Sequence, residues 1–132
     1  MIVVDTNVIS YLLLPTPMTP AAEMLYQSDP EWAAPVLWRS ELRNVLALYL
    51  RKDLLPLNRA LAVQEEAERL MSGQEFQVQS NAVLQLAQAS GCSAYDCEFI
   101  AVARDLGTSL VTADKGLRAA FPDIARALPA GD

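Results

Sequence analysis

Short apolar runs of strand type recur along this chain, each followed by a longer stretch whose apolar residues return every three or four positions, and this alternation constrains the fold most. Ile2, Val3 and Val4 run into Asp5-Thr6-Asn7, after which Val8, Ile9, Leu12 and Leu13 take helical spacing. The proline-rich stretch from Leu14 to Pro20 ends that helix. Thr19 and Pro20 are expected to serve as N-cap and first-turn proline of a second helix reaching about Gln27. Residues 32–36 read as a buried strand, and 37–52 as an amphipathic helix with Leu42, Val45, Leu46, Tyr49 and Leu50 on its apolar side. Pro56 opens a helix whose apolar side is expected at Leu57, Leu61, Ala67 and Leu70, closing at Ser72-Gly73. Phe76 and Val78 alternate as in a strand, Ser80-Asn81 is expected to cap a helix ending at Gly91, and Ser93 one ending at Gly107. Residues 109–112 give the last expected strand, and 115–121 a short helix before Pro122. Repeated strand-helix order predicts an α/β/α architecture: one domain over 1–132 with a parallel sheet of about four or five strands and helices on both faces.

Composition limits the chemistry. The chain has no histidine, which excludes every Ser-His-Asp or Cys-His scheme and leaves carboxylates or a metal to carry any hydrolysis. Cys92 and Cys97 are too few for a disulfide scaffold or a zinc site of the usual soft ligands, and are expected to be buried or bystander thiols. No basic leader precedes Asp5 and no apolar run is long enough to span a membrane, so the chain is expected to be cytoplasmic. The net charge of -6 opposes a nucleic-acid partner, unless acids held by a divalent cation no longer repel phosphate.

Four acids stand out by position. Asp5 and Asp114 follow strands, where open α/β sheets bind ligands, although Asp5 could equally cap the first helix and Asp114 shape the turn it occupies. Asp96 shares a helix face with Ile100 and Ala103, and Glu41 shares one with Val45 and Leu48. Acids on apolar stripes are expensive to ionise alone and are usually paired or bound to metal.

Ile2-Val3-Val4-Asp5-Thr6-Asn7, Pro35 through Glu41, Ser93-Ala94-Tyr95-Asp96 with Ala101 and Ala103, and Leu110-Val111-Thr112-Ala113-Asp114 together resemble the PIN domain, with closest similarity to VapC-like toxins of prokaryotic type II toxin-antitoxin systems. Cys97 stands where alanine is more usual. The resemblance implies a metal-dependent ribonuclease whose pocket is formed by Asp5, Glu41, Asp96 and Asp114, with Thr6, Asn7 and Thr112 in support. One or two Mg²⁺ ions, or Mn²⁺ in their place, are the expected cofactors, since hard cations prefer carboxylate and water oxygens. RNA is the implied substrate, with 5′-phosphate and 3′-hydroxyl products; a cognate antitoxin and a second copy in a homodimer are the implied protein partners.

Arg39 and Arg43, one turn apart on the Glu41 helix, and Lys115 with Arg118 beside Asp114 are the candidate RNA contacts, with Arg51 and Lys52 further along. Trp32, Trp38 and Tyr95 are aromatic candidates for stacking or for the core, and Asn44 reads as exposed. Two other readings remain open: a catalytically silent PIN-like RNA-binding or assembly module, and an α/β phosphatase or phosphoacceptor domain. Asn7 stands where a haloacid-dehalogenase-like phosphatase needs a second aspartate.

Overall fold

The computed structural model describes residues 1–129. Its elements follow the order β1 (Ile2–Val4), α1 (Thr6–Leu13), α2 (Thr19–Ser28), β2 (Trp32–Pro35), α3 (Trp38–Arg51), α4 (Leu57–Leu70), β3 (Glu75–Phe76), α5 (Ser80–Ser90), α6 (Ala94–Leu106), β4 (Leu110–Thr112), α7 (Lys115–Ala120) and β5 (Ala125–Ala127). The five strands form one all-parallel sheet in the order β3-β2-β1-β4-β5. Every residue of β1, β2 and β4 is buried, as an all-parallel sheet covered on both faces requires. Helices α1 to α4 pack together as one group, and α5 against α6 as another.

Because β1 pairs with β2 on one side and β4 on the other, the chain reverses its winding at β1. Val3 stands opposite both Ala33 and Leu110, which brings the carboxyl ends of β1, β2 and β4 to one edge of the sheet. Parallel sheets open their binding crevice at such a switch point.

Several local expectations are corrected. Thr19 lies inside α2, whose N-cap is Met18; its hydroxyl accepts from the Thr16 N–H at 2.9 Å and donates towards the Tyr11 and Leu14 carbonyls. It therefore ties α2 to the end of α1. Ser80 and Asn81 are likewise helical, with Gln79 at the cap and the Asn81 carbonyl oxygen taken by the Gln85 amide. The buried side of α4 is Ala60, Val63 and Ala67, whereas Leu57 and Leu61 are 61% and 55% exposed. Val78 falls beyond β3, and β5 was not foreseen. Ser93 does cap α6, accepting from the Asp96 N–H at 3.0 Å, and Gly91 and Gly107 take the left-handed conformation that ends α5 and α6. Both tryptophans are core residues, with Tyr26 edge-on to Trp32 at 5.3 Å between ring centroids. Cys97 is buried, Cys92 is half-buried, and both are free thiols.

Candidate active site

At the switch point lies an open pocket of about 400 Å³, and all four singled-out acids line it. Asp5 directly follows β1 and Asp114 follows β4 by two residues, Glu41 sits in the first turn of α3 beyond β2, and Asp96 sits in the first turn of α6. Two strand ends and the first turns of two helices thus each contribute one carboxylate.

For Asp5 and Asp114 the capping role and the pocket role coexist. Asp5 Oδ1 accepts from the Val8 N–H at 3.0 Å, capping α1, while Oδ2 accepts from the Thr112 hydroxyl. Asp114 Oδ1 accepts from the Leu117 N–H at 2.9 Å, capping α7. Thr112 Oγ1 also accepts from the Asp114 N–H at 3.0 Å, so one fully buried hydroxyl orients both aspartates. Gly116 packs closely here: a Cβ at this position would stand 3.3 Å from Asp114 Oδ1. Thr6, buried in the first turn of α1, donates to Glu41 Oε1 at 2.7 Å and joins α1 to α3. Asn7 is exposed on the pocket wall.

Burial pushes the Asp5 carboxyl above its ordinary range, against the opposing effect of the Thr112, Val8 and Ala113 donors, and the Asp114 charge pushes the same way. Burial likewise raises Glu41, countered by Thr6 and reinforced by Asp96, Asp5 and Glu98. Asp96 is raised by burial and then by Asp114, with the Ser93 hydroxyl opposing. The repulsions close a ring: Asp5 with Asp114, Asp114 with Asp96, Asp96 with Glu41, and Glu41 with Asp5.

This donor set suits a hard divalent cation. All of its groups are oxygens, and each of the three raised carboxylates would be relieved by nearby positive charge. Among the described residues no three acidic side chains stand close enough to cage an ion unaided. Water would complete the shell, in keeping with the reluctance of Mg²⁺ to shed its waters.

The candidate cations fall elsewhere. Arg39 is already engaged, with Nε and Nη2 on the two Glu75 oxygens at 2.6 and 2.7 Å and Nη1 on Glu68 at 3.1 Å. Trp38 Nε1 donates to the same Glu75 at 3.0 Å, so this cluster fastens α3 to β3 and α4. Each of Arg39 and Arg43 is two residues from Glu41, which at roughly 100° per residue turns it about 160° away. Neither is among the residues that line the pocket. Lys115 is exposed and Arg118 half-buried on α7; neither is a pocket-wall residue.

Of the rest of the wall, the sequence singles out only Tyr95, as an aromatic candidate for stacking or for the core. Ser40 and Asn44 present polar groups from α3, Tyr95 stands exposed on α6, and Leu37, Val45, Phe99 and Leu117 supply apolar surface. Spacing held a signal for two of them, since Asn44 follows Glu41 by three positions and Phe99 follows Asp96 by three, which places each pair on one face.

The model of the PIN domain matches residues 2–121. No curated protein sequence matches the chain. Among solved structures the chain is similar to FitAcB from Neisseria gonorrhoeae, at 22% identity and a TM-score of 0.74 over 95% of this chain and 96% of that one. It is also similar to FitAB bound to an IR36 DNA fragment, at 21% identity and a TM-score of 0.76 over 100% and 98% of the two chains. PAE2754 from Pyrobaculum aerophilum shares the fold at 22% identity and a TM-score of 0.69, over 96% of this chain and 89% of that one. With a family match over nearly the whole length and the same fold in these solved structures, the chain belongs to the PIN-domain family.

Proposed function

We propose that the protein is a Mg²⁺-dependent ribonuclease, active also with Mn²⁺, and that it is the toxin of a type II toxin-antitoxin pair acting in the cytoplasm. The observation that carries this reading is the ring of four mutually repelling carboxylates at the switch point of a PIN-family sheet. When bound, one or two divalent ions supply the charge that attracts a phosphodiester and acidifies water. Asp5, Asp96 and Asp114 hold them, with Glu41 as a further ligand or as the group that orients a water. Thr112 keeps the two strand-end aspartates turned into the pocket, and Thr6 fixes the Glu41 carboxylate. Asn7 offers an uncharged amide to a phosphate oxygen or to water. Lys115 and Arg118 steer RNA from the α7 side.

A cognate antitoxin and a homodimer each require apolar surface. Leu48, Leu54, Leu57 and Leu61 are exposed where α3 turns into α4, which supports a protein partner. The likeness in fold to FitAB on DNA supports such an assembly.

The direct test is Asp96→Asn, which keeps the size of the side chain and the Ser93 cap on its N–H while removing the charge. Cleavage of single-stranded RNA in Mn²⁺ is expected to fall more than about a hundredfold, the upper end of what losing an outer-shell partner costs. Near-wild-type cleavage by the folded variant would remove Asp96 from the mechanism. A wild-type protein that binds RNA without cutting it would point to a silent module.

A further inference from the structure

We infer that the outer part of the pocket, between Tyr95 on α6 and Ser40 and Asn44 on α3, is a subsite for one unstacked nucleobase next to the scissile phosphate. The inference rests on the ribonuclease reading and adds to it a source of binding and of sequence preference.

The first observation is an exposed aromatic. Tyr95 is 63% accessible, whereas Trp32 and Trp38 are core residues. A large ring left in water beside a concave site is a ready stacking platform, and base-aromatic stacking works for every base because each has a π-face. Tyr95 also immediately precedes Asp96, so a base held on its ring lies next to the carboxylates that act on the backbone.

The second observation is the character of the opposite wall. Ser40 and Asn44 lie one turn apart on α3, are exposed, and line the same pocket. A hydroxyl and an amide can both donate and accept, which suits the edge of a base and gives no particular advantage to a phosphate. Phe99 and Val45 supply apolar surface on which a base plane can rest.

The third observation is what the pocket wall lacks. It carries four acids and no lysine or arginine, and the whole chain has a net charge of -6. Within the pocket, phosphate contacts therefore contribute little affinity before a cation enters, and base contacts add to the hold on the RNA. The pocket volume of about 400 Å³ lies within the range of small-molecule sites. A base paired in a duplex cannot enter, so the subsite also selects unpaired RNA.

The test uses single-stranded oligonucleotides carrying 2-aminopurine at successive positions around the cleavage point, bound to the Asp96→Asn protein so that they stay uncut. Quenching is expected at one position, from stacking on Tyr95. Tyr95→Phe should keep it, and Tyr95→Ala should lose it while binding about tenfold more weakly. In the otherwise wild-type enzyme, Tyr95→Ala should raise KM by a similar factor with a smaller effect on kcat. Asn44→Ala should keep the quenching and change which base is preferred there. Unchanged quenching and KM in Tyr95→Ala would overturn the subsite and assign the tyrosine to another surface, such as a protein contact. Quenching that depends on Tyr95 in a protein whose wild type cuts no RNA would leave the subsite standing and remove the nuclease reading.

Discussion

Thr112 has no charge, yet it organises the centre of the site. Its buried hydroxyl donates to Asp5 and accepts from the Asp114 N–H, so one side chain sets the orientation of two acids from adjacent strands. Its bond lowers the Asp5 pKa, in opposition to burial. In Thr112→Val, nearly the same volume remains but Asp5 loses that donor, and its pKa must rise further. The acid limb of the pH-rate profile is then expected to move to higher pH, with cleavage near neutrality reduced about tenfold, the scale of one lost hydrogen bond to a charged group. Rates measured across pH 5 to 8 at saturating Mn²⁺ check this. An unmoved acid limb would mean that Asp5 does not set the profile. Capping by Asp5 and Asp114 does not take them away from the pocket, because one oxygen caps a helix while the side chain still borders it.

At the scale of elements, patterns repeated over several turns were legible and single capping contacts only in part. The strand-helix order and the positions of the four acids follow from spacing that many residues share, whereas a cap rests on one contact: Ser93 takes the expected one, and Thr19 and Ser80 do not. The sequence expectation failed at α4 because Leu57 and Leu61 outrank Ala60 and Val63 in hydropathy, yet close approach of α4 to α1 and α3 favours the smaller residues. β5 was missed because Ala125, Arg126 and Ala127 carry no apolar run; its place comes from hydrogen bonds to β4, such as the Leu110 N–H to the Ile124 carbonyl at 2.9 Å. The pairing of Arg39 is hidden in the sequence for a related reason. Charge type is visible in a sequence, but Glu75 lies 36 residues away and only folding brings it alongside. The Arg39 hydrogen bonds pull the Glu75 carboxyl below its ordinary value, against the opposing effect of burial. Arg39→Ala is therefore expected to lower the melting temperature, since it leaves Glu75 half-buried beside Trp38, and to leave RNA affinity and its salt dependence unchanged. If binding instead weakens and the slope of log Kd against log salt flattens by roughly 0.7, one phosphate contact has been lost and Arg39 faces the RNA.

Over the whole molecule, the sheet order that assembles the site also makes the metal-free protein less stable than its core allows. Asp5, Glu41 and Asp96 have folded pKa values above their ordinary 3.8, 4.5 and 3.8, so between the ordinary and raised values the native state binds more protons than the unfolded chain. Stability must then increase as pH falls through the raised values, the gain being complete below the ordinary ones. Glu75 acts in the opposite sense: its contribution is present above about its ordinary 4.5 and is lost as pH falls through its lowered value. In chelator, maximum stability is expected on the acid side of neutrality, before Glu75 is protonated. Asp96→Asn removes one member of the ring, so it should melt a few degrees higher than wild type in chelator at pH 7 and show a flatter dependence on pH. Mn²⁺ reverses the order. At about a hundred times its dissociation constant a ligand that ignores the unfolded chain stabilises by roughly 2.7 kcal/mol, which wild type should gain and Asp96→Asn largely lack. Because binding needs ionised carboxylates, the Mn²⁺ shift should also shrink as pH falls towards 5. Melting curves of both proteins at pH 5 and 7, with chelator and with Mn²⁺, give all four comparisons. A chelated Asp96→Asn less stable than wild type would make the aspartate a helix-start residue, and equal Mn²⁺ shifts in the two proteins would place the cation outside the ring.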